Sequence, residues 1–186
     1  MIKKILCFNL ILSFFFSITF AEIKKNIINN IDTIESLNFN FTQSTNVSEE
    51  FGECLLLFPE KLKCNYEDES LKELIINGKT LAITKKKYNK TYYYPISKSP
   101  FFKILNKKEL KNIINLSDVE LINNIIHLKY YDTESQKIII FFNEKNFDLL
   151  GWQIDDQFNN STKFLISIFS KNSFINEDTF KIPTFN

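Results

Sequence analysis

Leu37-Asn38-Phe39-Asn40-Phe41-Thr42-Gln43 sets the reading of this chain. Large apolar side chains alternate with polar ones, which is the period of a strand with one buried face. Just upstream the period changes. Ile23, Ile27, Ile31 and Ile34 recur at near-helical spacing and predict an amphipathic helix over Glu22–Glu35. Downstream the strand pattern keeps returning. Gly52–Phe58 and Leu62–Tyr66 flank a Phe58-Pro59-Glu60-Lys61 turn. Leu74–Ile76 and Leu81–Ile83 flank Asn77-Gly78, a strong hairpin signal. Tyr88–Ile96 reads as one more strand.

Pro95 to Pro100 interrupts the pattern. Phe101, Phe102, Ile104 and Leu105, then Leu110, Ile113 and Ile114, predict two short amphipathic helices. Strands resume at Val119–Ile122, Ile125–Tyr131, Ile138–Phe142, Leu149–Ile154 and Phe164–Phe169. Asp155–Ser161 is a polar turn, and a turn of helix is expected near Glu177. Short antiparallel strands at close spacing predict an α+β chain built on a barrel or highly curved sheet of about ten to eleven strands. Each helix has one apolar face to bury, and the concave side or open mouth of the sheet is the surface available.

The first residues read as an address. Lys3 and Lys4 precede an apolar run from Ile5 to Ile18, and Thr19-Phe20-Ala21 offers small residues at a cleavage site. A signal peptide over 1–21 and a single domain over 22–186 follow. The apolar run is shorter than the roughly 20 residues that span a bilayer. Cys7 lies inside the run, not at its end, so it is no lipid-attachment site. Loss of Lys3 and Lys4 moves the formal charge from +1 to −1. Export also places Cys54 and Cys64 where disulfides form. A symmetric hairpin about Pro59 would set them opposite each other, as one bridge or as two buried thiols.

Composition argues against several functions. Every basic residue is Lys and no basic stripe stands out, which disfavours nucleic acid. The single His127 sits in a strand-like run with no Gly-x-Ser-x-Gly elbow. Three scattered glycines make no phosphate loop. Too few His and Cys remain for a zinc site, and no other cofactor is indicated. Asp155 and Asp156, adjacent in sequence, would face opposite sides of a strand and make a poor acid/base pair. Meanwhile 20 Phe give the chain much apolar surface to hide, in a core or around an apolar guest.

Several segments resemble one family in order. Phe39-Asn40-Phe41-Thr42-Gln43 is similar to the first strand of the periplasmic outer-membrane lipoprotein carriers, the LolA family. Gly52, seven residues before Pro59, matches its second strand, and Pro59-Glu60-Lys61-Leu62-Lys63-Cys64-Asn65-Tyr66 its turn and third strand. Asn77-Gly78-Lys79-Thr80-Leu81 resembles its Asp-Gly-Lys-Thr-Leu hairpin. Tyr94-Pro95-Ile96 with Pro100 and Leu105 resembles its helical segment, and Leu150-Gly151-Trp152-Gln153-Ile154-Asp155-Asp156 its late strand and turn. The resemblance implies an unclosed antiparallel barrel with lid helices over an apolar cavity. It implies a monomeric, non-enzymatic periplasmic carrier of acylated lipoproteins. Such a carrier is loaded by an inner-membrane ABC transporter and unloads to an outer-membrane acceptor lipoprotein or to the membrane itself. A periplasmic lipid-binding or sensor domain of the same fold is the second reading, and an enzyme acting on lipid or peptidoglycan the third. Strand alternation and the resemblance together select Phe39, Phe41, Leu56, Phe58, Leu62, Tyr66, Trp152 and Ile154 as lipid-binding wall residues. Phe101, Phe102 and Leu105 form the apolar side of the lid. The family carries Arg where this chain has Phe58, immediately before the turn proline, so its control of lid opening should differ.

Overall fold

The computed structural model describes residues 19–96, 101–132, 136–155, 158 and 160–184. Helix α1 spans Phe20–Thr33, capped by Thr19, whose hydroxyl accepts from the Glu22 amide. It begins and ends two residues earlier than the apolar period predicts. Ile34 is extended, yet it stays buried beside Ile23, Ile27 and Ile31. The segment 1–18 lies outside the described residues.

Eleven strands follow: β1 Ser36–Thr45, β2 Glu49–Leu57, β3 Lys61–Tyr66, β4 Lys72–Asn77, β5 Thr80–Lys85, β6 Lys90–Pro95, β7 Asp118–Ile122, β8 Ile125–Tyr131, β9 Lys137–Asn143, β10 Leu149–Asp155 and β11 Ser161–Lys171. All pairings are antiparallel, in the order β6-β5-β4-β3-β2-β1-β11-β10-β9-β8-β7. The sheet is therefore unclosed, as expected, with β6 and β7 as its edges. Those edge strands are joined through α2 (Phe101–Leu105) and α3 (Lys107–Leu116). A connection from one edge of a curved sheet to the other must cross its open side, and this puts the two helices over the concave face.

Two local expectations need correction. The β4–β5 turn is centred on Gly78-Lys79, because Asn77 pairs with Thr80. Gly78 takes the left-handed conformation at φ +57°, which suits a residue without Cβ. Tyr88 ends a turn of 3₁₀ helix, Lys86–Tyr88, and Asn89 at φ +48° restarts the chain as β6. Gly52 serves packing: a Cβ there would lie 2.0 Å from the Asn65 carbonyl oxygen and 2.8 Å from the Phe41 ring. The missing side chain is the space that the Phe41 ring uses.

Cys54 and Cys64 pair directly across β2 and β3 and form a disulfide, with Cα atoms 4.1 Å apart. Of the two states left open by the sequence, the bridge is the one present. The C-terminal segment crosses the convex side of β3–β6. Its 3₁₀ turn Glu177–Phe180 buries Phe180, the Phe180 carbonyl accepts from Asn77 Nδ2 at 3.2 Å, and Tyr93 donates to the Pro183 carbonyl at 2.9 Å.

Candidate functional site

The concave face is built by residues of one parity on each strand. Leu37 and Phe39 of β1, Cys54 and Leu56 of β2, and Leu62 and Cys64 of β3 are each at most 5 % exposed, and all belong to one apolar cluster. The register explains the agreement: Phe39 opposes Cys54, Leu37 opposes Leu56, and Leu56 opposes Leu62. Across the sheet, Trp152 stacks on Phe164 at 4.6 Å between ring centroids, and Phe164 stacks on Phe41 at 4.8 Å. Against this wall α1 lays Ile27 and Ile31, α2 lays Ile104 and Leu105, and α3 lays Leu110, Ile113 and Ile114.

Between wall and helices remains a cavity of about 30 Å³. That is room for about one water molecule, far below the roughly 300–1,000 Å³ of a small-ligand site. Every residue lining it is Ile, Leu, Phe or Trp, drawn from strands and all three helices. The helices lie closed on the wall and all but fill the space between, so the wall is a continuous apolar surface beneath them.

Of the residues selected from sequence, Phe39, Leu56, Phe58, Leu62, Leu105 and Trp152 line this cavity together. Phe41 lies one layer along the wall, between Phe164 and Tyr66. Tyr66 lines a separate groove farther out. Ile154 is half-buried against the edge of the core and away from the cavity. The α2 backbone carries Phe101 and Phe102, but their side chains lie outside the described residues, as do Pro100 and Asp156. His127 sits on β8 and meets the Phe141 ring edge-to-face at 5.0 Å, where burial lowers its pKa from the usual imidazole value.

The sequence did not reveal how the lid is fastened. Glu60, at the β2–β3 turn, accepts a 2.6 Å hydrogen bond from Asn106 Nδ2, and its own amide donates to the Leu105 carbonyl at 3.4 Å. Asn106 also caps α3 by accepting from the Lys108 and Glu109 amides. Lys107 Nζ stands 5.0 Å over the Phe58 ring and donates to the Asp32 carbonyl of α1. Burial lowers the Lys107 pKa, with Asp32 opposing the shift. An ion pair between Lys111 and Asp32 joins α3 to α1. An Asn-x-x-Glu cap after a Leu is the one visible cue to Asn106; nothing in the sequence points to its partner.

Residues 32–183 match the family model described as "Outer membrane lipoprotein carrier protein LolA". The chain belongs to the LolA family. Among solved structures, an uncharacterised conserved protein from Thermus thermophilus has a TM-score of 0.52 at 11 % identity, over 88 % of this chain and 93 % of that one. A DUF1329 family protein from Desulfovibrio piger has a TM-score of 0.51 at 6 % identity, over 89 % and 98 %. MucB has a TM-score of 0.52 at 11 % identity, over 86 % of this chain and 62 % of its own. At such identities the likeness is one of fold. No curated protein matches. In this LolA-family chain, the position before the turn proline holds Phe58, which packs in the cavity wall beneath Lys107.

Proposed function

We propose that this protein carries acylated lipoproteins across the periplasm, shielding their acyl chains in the trough between sheet and lid. Family membership supports a carrier over an enzyme, and the wholly apolar lining of the closed cavity is the observation that carries the reading. At about 0.8 kcal/mol per buried CH₂, a chain of about sixteen carbons favours hydrocarbon over water by roughly 12 kcal/mol. A carrier has to match that environment and still release the chain without covalent chemistry. An apolar wall covered by a displaceable lid does both. Guest and lid compete for the same apolar wall, so binding exchanges one set of apolar contacts for another, and only the difference has to be supplied.

Phe39, Leu56, Phe58, Leu62 and Trp152 would be the wall on which the chains lie, with Leu105 and its helix displaced outward. Phe101 and Phe102 would belong to the same moving face. Export through cleavage of 1–21, loading by an inner-membrane ABC transporter and delivery to an outer-membrane acceptor or directly to that membrane complete the proposal. The protein would act as a monomer without a cofactor.

Mass spectrometry of what copurifies from the periplasm tests this. Acylated lipoprotein peptides in roughly equimolar amount are expected. A free lipid with no lipoprotein would replace the carrier reading with that of a lipid binder or sensor, and recovery of neither would contradict both.

A further inference from the structure

Beyond the closed cavity, the same concave face continues onto β4 and β5. Leu62 opposes Ile76, which opposes Leu81, and Cys64 opposes Leu74, which opposes Ile83. Here Leu74, Ile76, Leu81 and Ile83 wall a groove of about 250 Å³, against about 30 Å³ for the central cavity. Among the described residues its lining comes from strands alone, so this space exists while the lid is shut. One end is apolar and adjoins the central cavity, because Leu62 lines that cavity and pairs with Ile76. The other end is polar. There Tyr66 donates to Gln43 Oε1 at 3.0 Å, and Lys72 Nζ stands 3.8 Å over the Tyr66 ring while ion-paired with Glu50.

We infer that this groove is a preformed subsite for one alkyl chain with an uncharged ester or amide end, occupied before the lid opens. The inference rests on the carrier reading and gives that reading an order of events. The volume falls just below the roughly 300 Å³ of a small-ligand site, so it holds part of an acyl chain and leaves the rest to the central trough. The chain's methyl end points toward Leu62 and the lid. Its carbonyl end accepts from the side-chain N–H of Gln43, whose carbonyl oxygen the Tyr66 hydroxyl holds in place. Burial, then the nearby Glu50 and Asp68 carboxylates, push the Tyr66 hydroxyl far above its ordinary pKa, so it remains a neutral hydrogen-bonding group. Glu50 already neutralises Lys72, and so the site selects an ester over a free carboxylate.

The protein's only tryptophan, Trp152, lies in the central cavity and is absent from the groove, and bromine quenches tryptophan only near contact. Two probes separate the sites: methyl bromo-octanoate and methyl bromo-palmitate, each brominated at the methyl end. Calorimetry is expected to show the short ester binding with little quenching of Trp152, and the long ester binding with strong quenching. Ile83→Asn, at the half-buried outer wall of the groove, is expected to weaken the short ester about tenfold, or about 1.4 kcal/mol, with the melting curve unchanged. Strong quenching by the short ester would overturn the groove and leave the carrier reading standing. Unaltered short-ester affinity in a folded Ile83→Asn would do the same. Failure of the short ester alone to bind would likewise overturn only the groove, and failure of both esters to bind would overturn both readings.

Discussion

Glu60 and Asn106, 46 residues apart, meet at 2.6 Å and join the β2–β3 turn to the linker between the two lid helices. The Glu60 amide reaches the Leu105 carbonyl at the same place, so one residue contacts the lid through side chain and backbone. Glu60→Ala removes the charge-assisted bond and keeps the backbone one. A bond of this kind is worth about 1–2 kcal/mol net at a partly exposed site. For a chain of this size each kcal/mol lowers Tm by roughly 2–4 °C. The variant should melt earlier and bind bis-ANS faster than wild type, in stopped-flow mixing. An unchanged rate would mean that the bond does not hold the lid.

Phe58 gives the closed state apolar contacts where the resembled pattern has an arginine. It lines the cavity and lies under Lys107. Phe58→Arg would place a guanidinium beside that ammonium and at the edge of an apolar trough, where an unpaired charge is costly. Hydrophobic-ligand retention should weaken in the variant, measured as the dissociation rate of bis-ANS from folded protein. Slower dissociation would contradict this.

Leu56 and Leu57 separate the two faces of β2. Leu56 is 5 % exposed and lines the cavity; Leu57 is half-buried and points the other way. Leu56→Glu should abolish bis-ANS binding at a far-UV spectrum like that of wild type, whereas Leu57→Glu should retain most of it. Equal loss at both positions would show that the ligand does not lie on the concave face.

β1 was legible because its second face is polar: Leu37, Phe39 and Phe41 alternate with Asn38, Asn40 and Thr42, so the period of two names the buried face directly. On β2 Leu55 and Leu57 are apolar as well, and Leu56 was placed by its phase with Cys54 and by the hairpin about Pro59. β9 is different. Ile138, Ile139, Ile140, Phe141 and Phe142 are all buried, because Ile139 and Phe141 are covered on the convex side as well. Its apolar run shows a strand but not which residues face the lid, and Phe142 was missed as a cavity residue. The α1 stripe placed Ile27 and Ile31 correctly, while its ends depended on Thr19, whose capping role the apolar period does not encode. Glu60 with Asn106 was invisible for another reason. Each is an ordinary turn or cap residue locally, and only the return of the chain from β6 over the open side brings them together. The groove on β4 and β5 was half legible: Leu74, Ile76, Leu81 and Ile83 read as hairpin residues, but nothing local says that the space above them is unfilled.

Acid should act at Glu73, on the convex side of β4. It is 7 % exposed, and its carboxylate pairs with Lys86 at 2.7 Å and Lys63 at 3.3 Å. Burial works to raise its pKa, but Lys86 and Lys63 outweigh burial and hold it below the ordinary 4.5. A carboxyl depressed on folding stabilises the native state fully above that ordinary value, and the contribution is lost as pH falls through the folded value. Urea unfolding of wild type should therefore lose stability between about pH 5 and about pH 3 more steeply than that of Glu73→Gln. Parallel curves would show that the pair adds nothing.

The central claim is that the closed apolar trough opens to take the acyl chains of a lipoprotein out of a membrane. The direct measurement incubates the purified protein with inner-membrane spheroplasts making a radiolabelled acylated lipoprotein, and then follows the label in the supernatant. The label should leave the membrane in a one-to-one complex with wild type and stay behind with Leu56→Glu. Label that remains in the membrane with wild type, or is released equally by Leu56→Glu, would contradict the account.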